Sequence, residues 1–157
     1  MASSAAHPAQ ADPDGLAVLE GYERNSRALI FAADAYDDDG LRDLSCAEAD
    51  GRLMAGVLKE TGFAVTEHYG RDVTPDRIKR AFAGLVKEFK QKGGGKKVIG
   101  RLYIYLAGHG MLDGDDAYFV CPASDVGNLY GSAYAVEDVK NSMRRIAIAH
   151  QCIAMDS

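Results

Sequence analysis

The feature that most constrains the fold is a near-continuous apolar run from Val98 to Leu106. A strand with one solvated face alternates apolar and polar residues, and this run has no regular polar face. It is therefore typical of a strand that is buried on both sides, as in a parallel sheet covered by helices. The run ends in Ala107-Gly108-His109-Gly110, which predicts a sharp turn at one edge of that sheet.

Strand-like and helix-like patterns alternate along the rest of the chain. The predicted strands cover residues 27–33, 63–69, 98–106, 117–122 and 146–155. The predicted helices begin at Glu48, Thr74 and Val136. Their order is βαβαβ, then a small β insertion, then αβ. That order predicts a three-layer α/β fold, in which an open, mostly parallel sheet carries helices on both faces.

Composition argues against several classes of function. The net charge of −5 argues against nucleic acid as a partner. The chain has no run of about 18 apolar residues, so no membrane-spanning segment is predicted. The three cysteines are far apart, their number is odd and no secretory signal precedes them, which favours a reducing compartment, the cytoplasm. No cysteine or histidine spacing indicates a metal site.

The length of 157 residues is enough for one domain with a core of its own. The chain begins with a stretch rich in Ala, Ser, Pro and Asp, and we predict a disordered N-terminal tail over residues 1–20. Residues 21–157 are predicted to form the single domain.

The candidates for chemistry are the residues that follow the predicted strands, because ligands of open α/β sheets bind at the carboxyl ends of the strands. His109 is the strongest of them. A histidine exchanges protons near neutral pH, and flanking glycines let a substrate approach the backbone closely. The Gly110 amide is also free to face a developing oxyanion. The alternative is a histidine that caps the strand for structural reasons, and it explains the Gly-His-Gly setting less well.

A histidine base needs a nucleophile to activate, and none is evident in the chain. Cys152 lies inside the last predicted strand, where we expect a small core residue. Cys46 and Cys121 have no catalytic setting. No serine occupies a Gly-x-Ser-x-Gly turn.

Several segments together resemble the caspase-like cysteine peptidases. The matching segments are strand 28–33 with Tyr36, helix 46–58, strand 63–67, helix 74–89, the Gly-His-Gly strand 102–110, residues 118–125 and the terminal strand 146–155 with Asp156. The Gly-His-Gly strand and the terminal strand with Asp156 are the specific parts. In that family the catalytic cysteine follows the histidine by about 50 residues, so counting from His109 places it just beyond Ser157. The resemblance implies that residues 21–157 are the large-subunit part of a caspase-like domain, incomplete at its C-terminus.

The resemblance also implies roles for four residues. His109 matches the catalytic histidine, and Gly110 matches the backbone donor to the oxyanion. Asp50 and Asp156 match positions that line an acidic S1 pocket in the metacaspase, orthocaspase and paracaspase branch, which implies a polypeptide substrate cleaved after Arg or Lys. For Asp50, a carboxylate that stabilises a helix N-terminus is an equally good explanation. A C-terminal small-subunit portion is the implied partner, and the chain alone is expected to be inactive.

Three alternatives stay open at this point. A catalytically inactive member would use the same fold as a binding or scaffold module. Calcium is a possible activator of such a peptidase, since the carboxylates of Asp37-Asp38-Asp39 could bind it. Such a run is more often a solvated loop. No other cofactor is expected. A phosphoacceptor receiver domain would also carry acidic residues after its first strand, but it needs an aspartate where this chain has Ala107-Gly108-His109.

Overall fold

A parallel sheet of four strands forms the centre of the molecule. The computed structural model describes residues 13–157. The strands of the sheet are β1 (Arg27–Ala32), β2 (Ala64–Tyr69), β3 (Val98–Ala107) and β7 (Ile148–Asp156). Their order is β2-β1-β3-β7, and every neighbouring pair is parallel. The predicted open, mostly parallel sheet is confirmed.

Helices cover both faces of this sheet. They are α2 (Ala47–Glu60) on one face, and α3 (Pro75–Gly93) and α5 (Val136–Arg145) on the other. On β1, Ile30 packs in the cluster that includes α2, and the next residue, Phe31, packs in the cluster that includes α3 and α5. Both side chains are completely buried. Burying a side chain of this size is worth about 1.5–3 kcal/mol, which explains why the strand is apolar without interruption.

Helix α3 begins where the sequence predicts. The Thr74 hydroxyl accepts a hydrogen bond from the Arg77 N–H at 3.1 Å, and Pro75 occupies the first turn. The helix continues to Gly93, beyond the predicted apolar stripe, and Gly94 ends it with a φ of 52° in the left-handed region. No helix within residues 13–157 is both long enough and apolar enough to cross a bilayer.

A second, antiparallel sheet follows β3. Its strands are β4 (Gly110–Asp113), β5 (Asp116–Phe119) and β6 (Tyr134–Ala135), in the order β4-β5-β6, and a short helix α4 (Leu129–Ser132) precedes β6. The sequence predicts one strand over residues 117–122 at an edge or in a hairpin. The structure places that strand in the middle of the small sheet and ends it at Phe119, before Pro122.

Helix α1 (Pro13–Arg24) differs from the predicted disordered tail. Residues 1–12 of that tail lie outside the described residues, but residues 13–20 are helical. The helix is held at its far end, where Gly21 lies close to the side chain of Ile99 and the Tyr22 hydroxyl is 2.6 Å from Nε2 of His150. The helix forms because it contacts the main sheet, and such a contact cannot be predicted from the local composition of residues 13–20.

Strand β7 is the last strand of the main sheet, and its burial corrects one prediction. The sequence places Cys152 in the core, but this residue is exposed. Its strand pairs with β3 along one side, and no other strand of residues 13–157 pairs with its outer side. Strand side chains stand perpendicular to the sheet, so an apolar pattern indicates burial only where other elements cover the face of the strand.

Candidate active site

The carboxyl ends of β3 and β7 meet at one edge of the main sheet. Ala107 pairs with Asp156, and the Gly108 N–H donates a hydrogen bond to the Asp156 carbonyl at 2.9 Å. His109 comes directly after this pair. The sequence predicts that His109 and Asp156 end neighbouring parallel strands, and the register confirms this placement.

The turn that carries His109 requires glycine at position 108. Gly108 has a φ of +152°, and a Cβ atom there would stand 2.6 Å from the hydroxyl oxygen of Tyr36. Because no side chain intervenes, the His109 N–H donates a hydrogen bond to that oxygen at 3.0 Å. The backbone of the histidine is therefore fixed by a contact that only glycine at position 108 permits.

The His109 imidazole has a defined orientation. Its Nε2 lies 2.8 Å from the carbonyl oxygen of Arg42, and its ring is tilted 51° to the Tyr36 ring with 4.8 Å between their centroids. A carbonyl oxygen can only accept a hydrogen bond, so Nε2 carries the proton. In the neutral imidazole, Nδ1 is then the nitrogen with a free lone pair. The Arg42 carbonyl thus makes Nδ1 the basic nitrogen.

Tyr36 connects this turn to the end of β1. Its hydroxyl donates to the Ala33 carbonyl at 3.1 Å while it accepts from His109, and its own N–H donates to Oδ1 of Asp43 at 2.9 Å. Burial is the main reason that the Tyr36 pKa is raised, and nearby Cys121, Asp34 and Asp43 contribute. The hydroxyl therefore keeps its proton and its bond to Ala33 at neutral pH.

Gly110 begins β4 and touches the last residue of the chain. A Cβ atom on Gly110 would lie 3.4 Å from both Cβ and Oγ of Ser157. The Val120 N–H donates to the His109 carbonyl, whereas the His109 N–H donates to Tyr36 and not to β5. The next pair of the ladder is Gly110 and Phe119, and positions next to a bonded one direct their N–H groups outward. The N–H of Gly110 is consequently directed away from β5 and is free for another acceptor.

The two predicted S1 carboxylates are related to Tyr105 in different ways, Asp156 by a hydrogen bond and Asp50 by its charge alone. The Tyr105 hydroxyl donates to Oδ2 of Asp156 at 3.1 Å. Its pKa is raised to about 12, first by burial, then by the bond to Asp156, with the charges of Asp156 and Asp50 adding to the shift. Asp50 lies in the first turn of α2, which packs over this part of the sheet. The convergence of Asp50 and Asp156 in one S1 pocket stays a prediction.

Neither of these carboxylates is neutralised by a neighbour. Both are exposed, and among the ion pairs of residues 13–157 none involves Asp50 or Asp156. Arg52, the basic residue nearest to Asp50 in sequence, lies 3.6 Å from Glu48 and stacks on the Tyr69 ring at 4.0 Å. The two carboxylates can therefore accept a cation from outside.

No cysteine of the chain is bonded to His109. Cys121 is buried, and burial raises its thiol pKa to about 12, which makes it a poor nucleophile. Cys152 lies four residues before Asp156, which is roughly 13 Å along an extended strand. Cys46 precedes α2 with its Sγ 3.5 Å from Oγ of Ser45. In the part of the chain that the structure describes, none of the three hydrogen-bonds to the histidine.

The acidic run after β1 is engaged in holding loops together. Asp37 forms an ion pair with Arg71. Asp38 accepts from the N–H groups of Gly40 at 2.8 Å and Val126 at 2.9 Å, and these bonds lower its pKa. Between residues 13 and 157, no group of three or more His, Cys, Asp or Glu side chains is placed to hold a metal ion. These contacts are those of carboxylates that stabilise loops.

Sequence reasoning did not identify every residue that shapes this site. The sequence predicts Tyr36 only as part of a family motif. Its bond to the His109 backbone depends on the approach of two loops. Arg42 acts through its carbonyl, which no side-chain pattern reports. Tyr105 was assigned to the apolar run, although its hydroxyl contacts Asp156. A tyrosine four residues before a candidate histidine, near the end of a buried strand, was the available signal.

Comparison with known proteins identifies the family of the chain. The family model of the peptidase C14 caspase domain matches residues 25–149, which contain His109, Gly110 and Asp50. A crystal structure of a Geobacter sulfurreducens protein superposes with a TM-score of 0.61 at 20% identity. That match covers 85% of this chain, but the chain spans only about half (50%) of the solved one. A search of the curated proteins found no match. The chain belongs to the caspase-domain family of cysteine-type peptidases.

Proposed function

We propose that this chain supplies the histidine half of an endopeptidase site and that the nucleophile is a cysteine directly after Ser157 in the complete protein. One observation carries the proposal: Ser157 lies against Gly110, the residue next to His109, whose imidazole has Nδ1 as its free nitrogen. The residue that follows Ser157 would therefore begin beside the turn that carries His109. The 157-residue chain alone is expected to be inactive, and the C-terminal portion that follows it is the partner it requires.

The proposed reaction begins with proton transfer from the thiol to Nδ1 of His109. The thiolate attacks the carbonyl carbon of the scissile peptide bond, and the resulting oxyanion is held by the free N–H of Gly110. His109 then gives its proton to the leaving amine as the C–N bond breaks, which leaves a thioester. Water, deprotonated by His109, hydrolyses the thioester. Through these steps the Arg42 carbonyl stabilises the protonated imidazole at Nε2.

We also propose that the enzyme cleaves after Arg, and with lower efficiency after Lys. Asp50 and Asp156 are exposed, lack ion pairs within the described residues and both act on the Tyr105 hydroxyl. Two carboxylates near one tyrosine hydroxyl suit a planar guanidinium, which offers several donors in a fixed geometry, better than an ammonium. A substrate aspartate would be repelled. This preference belongs to the metacaspase, orthocaspase and paracaspase branch, to which we assign the chain.

The catalytic proposal is tested in the full-length protein with an internally quenched Arg peptide. His109→Ala is expected to lower kcat about 10²–10⁴-fold, the usual worth of a general base. The matched control is His150→Ala, which removes an exposed histidine of β7 that contacts Tyr22. Equal activity of the wild type and folded His109→Ala would contradict the assignment. Thiol-independent activity would also contradict it.

The specificity proposal needs matched peptides that end in Arg, Lys, Asp and Leu. Asp156→Asn and Asp50→Asn are each expected to lower kcat/KM for Arg at least about tenfold, because each removes a charge-assisted hydrogen bond. They should leave the low rate on Leu unchanged. Asp39→Asn, in the exposed acidic run, is the control of equal charge. Preferred cleavage after Asp or Leu would show that the two carboxylates do not form the S1 pocket.

The proposal places the enzyme in the cytoplasm, because its three cysteines are free and the two exposed ones, Cys46 and Cys152, would be open to oxidation elsewhere. Calcium remains a proposed activator only for the complete protein. Addition of calcium to the full-length enzyme, followed by a chelator, measures whether it contributes.

A further inference from the structure

A groove lies between α3 and α5, on the face of the main sheet that these two helices cover. None of the candidate active-site residues lines it. Its volume is about 450 Å³. It is lined by Lys79, Phe82, Ala83, Val86, Lys87, Lys90, Ser142 and Arg145. The volume lies in the range of clefts that bind several side chains or a small ligand.

The floor of the groove is apolar. Phe82 belongs to the core and has only 1% of its surface exposed, while Val86 packs against the same core and remains partly exposed. Ala83 is exposed between them. These three side chains lie beside the α3 residues that face the sheet. The apolar face of α3 is therefore wider than the part of the helix that packs on the sheet.

The rim of the groove is basic and unpaired. Among residues 13–157, none of the four cations Lys79, Lys87, Lys90 and Arg145 forms an ion pair, and no Asp or Glu lines the groove. Other cations of the same helices do have partners. Lys92 pairs with Glu88 on α3, and Lys140 and Arg144 pair with Glu137 on α5. Positive charge is thus concentrated around the apolar floor, although the chain as a whole carries −5. Lys79 alone also borders a neighbouring pocket that Asp116 and Asp138 line.

We propose that this groove binds an acidic peptide segment of a partner protein, with apolar side chains on the floor and carboxylates against the rim. Charge complementarity selects the acidic residues, and the apolar floor selects Leu, Ile or Phe between them. A free phosphate is a poorer fit, because its binding needs donors that converge on one point, whereas these four cations stand around an apolar surface. The proposal does not depend on peptidase activity, so the two can fail separately.

The test is selection from a library of random 12-residue peptides displayed on phage, with the 157-residue chain as bait. Bound sequences are expected to be enriched in Asp and Glu together with Leu, Ile or Phe. The best synthetic peptide is then titrated against two double variants of equal charge change. Lys87→Glu with Lys90→Glu reverses the rim, and Lys96→Glu with Lys97→Glu reverses the loop after α3.

The rim variant is expected to bind at least about tenfold more weakly, because attraction becomes repulsion at two positions, and the loop variant less than about twofold. Circular dichroism establishes that both are folded. The proposal is overturned if the selected peptides are not acidic, if no peptide is enriched, or if both variants bind alike. Competition by inorganic pyrophosphate without enrichment of acidic peptides would show an anion site instead and would also overturn it.

Discussion

Replacing Gly108 with alanine should destabilise the chain strongly, because the new methyl group has no space and the backbone is wrong for it. The Cβ atom would stand 2.6 Å from the Tyr36 hydroxyl oxygen and 3.3 Å from Cε2 of Phe119. A φ of +152° costs a non-glycine residue about 1–3 kcal/mol, and the crowding adds about 1–3 kcal/mol. The expected loss of about 2–6 kcal/mol is a large part of the about 5–15 kcal/mol that stabilises a domain.

Urea unfolding followed by circular dichroism measures this loss. For a typical slope of about 2 kcal/mol per M, the midpoint of Gly108→Ala should fall by about 1–3 M. The slope itself should not change, because the same surface is exposed on unfolding.

Two other glycines separate strain from crowding. Gly114 has a φ of +60° with no atom within 4 Å of its Cβ position, so Gly114→Ala carries strain alone and should lose only about 1–2 kcal/mol. Gly56 lies inside α2 in open space, and Gly56→Ala should gain about 0.5–1 kcal/mol. The reasoning is refuted if Gly108→Ala loses no more stability than Gly114→Ala.

Three further predictions concern the same chain. Tyr36→Phe leaves the His109 N–H and the Ala33 carbonyl without their partner and should cost about 1–3 kcal/mol in urea unfolding; no loss would contradict this anchoring role. The raised pKa of Tyr105 means that its contribution to stability is fully present below pH 10, the ordinary value, and is lost as pH rises toward 12. Tyr105→Phe should therefore lose less stability than the wild type over that alkaline range, and equal losses would contradict the shift. Cys46 and Cys152 are exposed and should react with a thiol reagent in the native protein, whereas Cys121 should react only on unfolding; three reactive native thiols would contradict its burial.

The sequence predicted the main sheet and its helices because their signals are local and periodic. Continuous apolar strands and helices with one apolar stripe recur where the structure has β1, β3, α2 and α3. The carboxyl edge of the sheet followed from this order, and so did the meeting of His109 with Asp156. These inferences need only the period of the pattern and the rule that parallel strands end at one edge.

The remaining features depend on contacts between distant segments. Cys152 was assigned to the core because its strand is apolar, but whether a strand lies at the edge of a sheet is decided by its neighbours and not by its own residues. The helical state of residues 13–20 depends on packing against β3. The tautomer of His109 is set by the Arg42 carbonyl, which any residue at that position would supply.

The central claim is that His109 acts as the general base for a cysteine directly after Ser157. It is tested most directly by labelling the full-length protein with an Arg-containing peptide that carries an electrophile reactive toward thiols, followed by mass spectrometry of the digested protein. The account predicts a single label on the residue after Ser157, present in the wild type and slowed at least about 100-fold in His109→Ala. A label on Cys46 or Cys152, or equal labelling without the histidine, would contradict it.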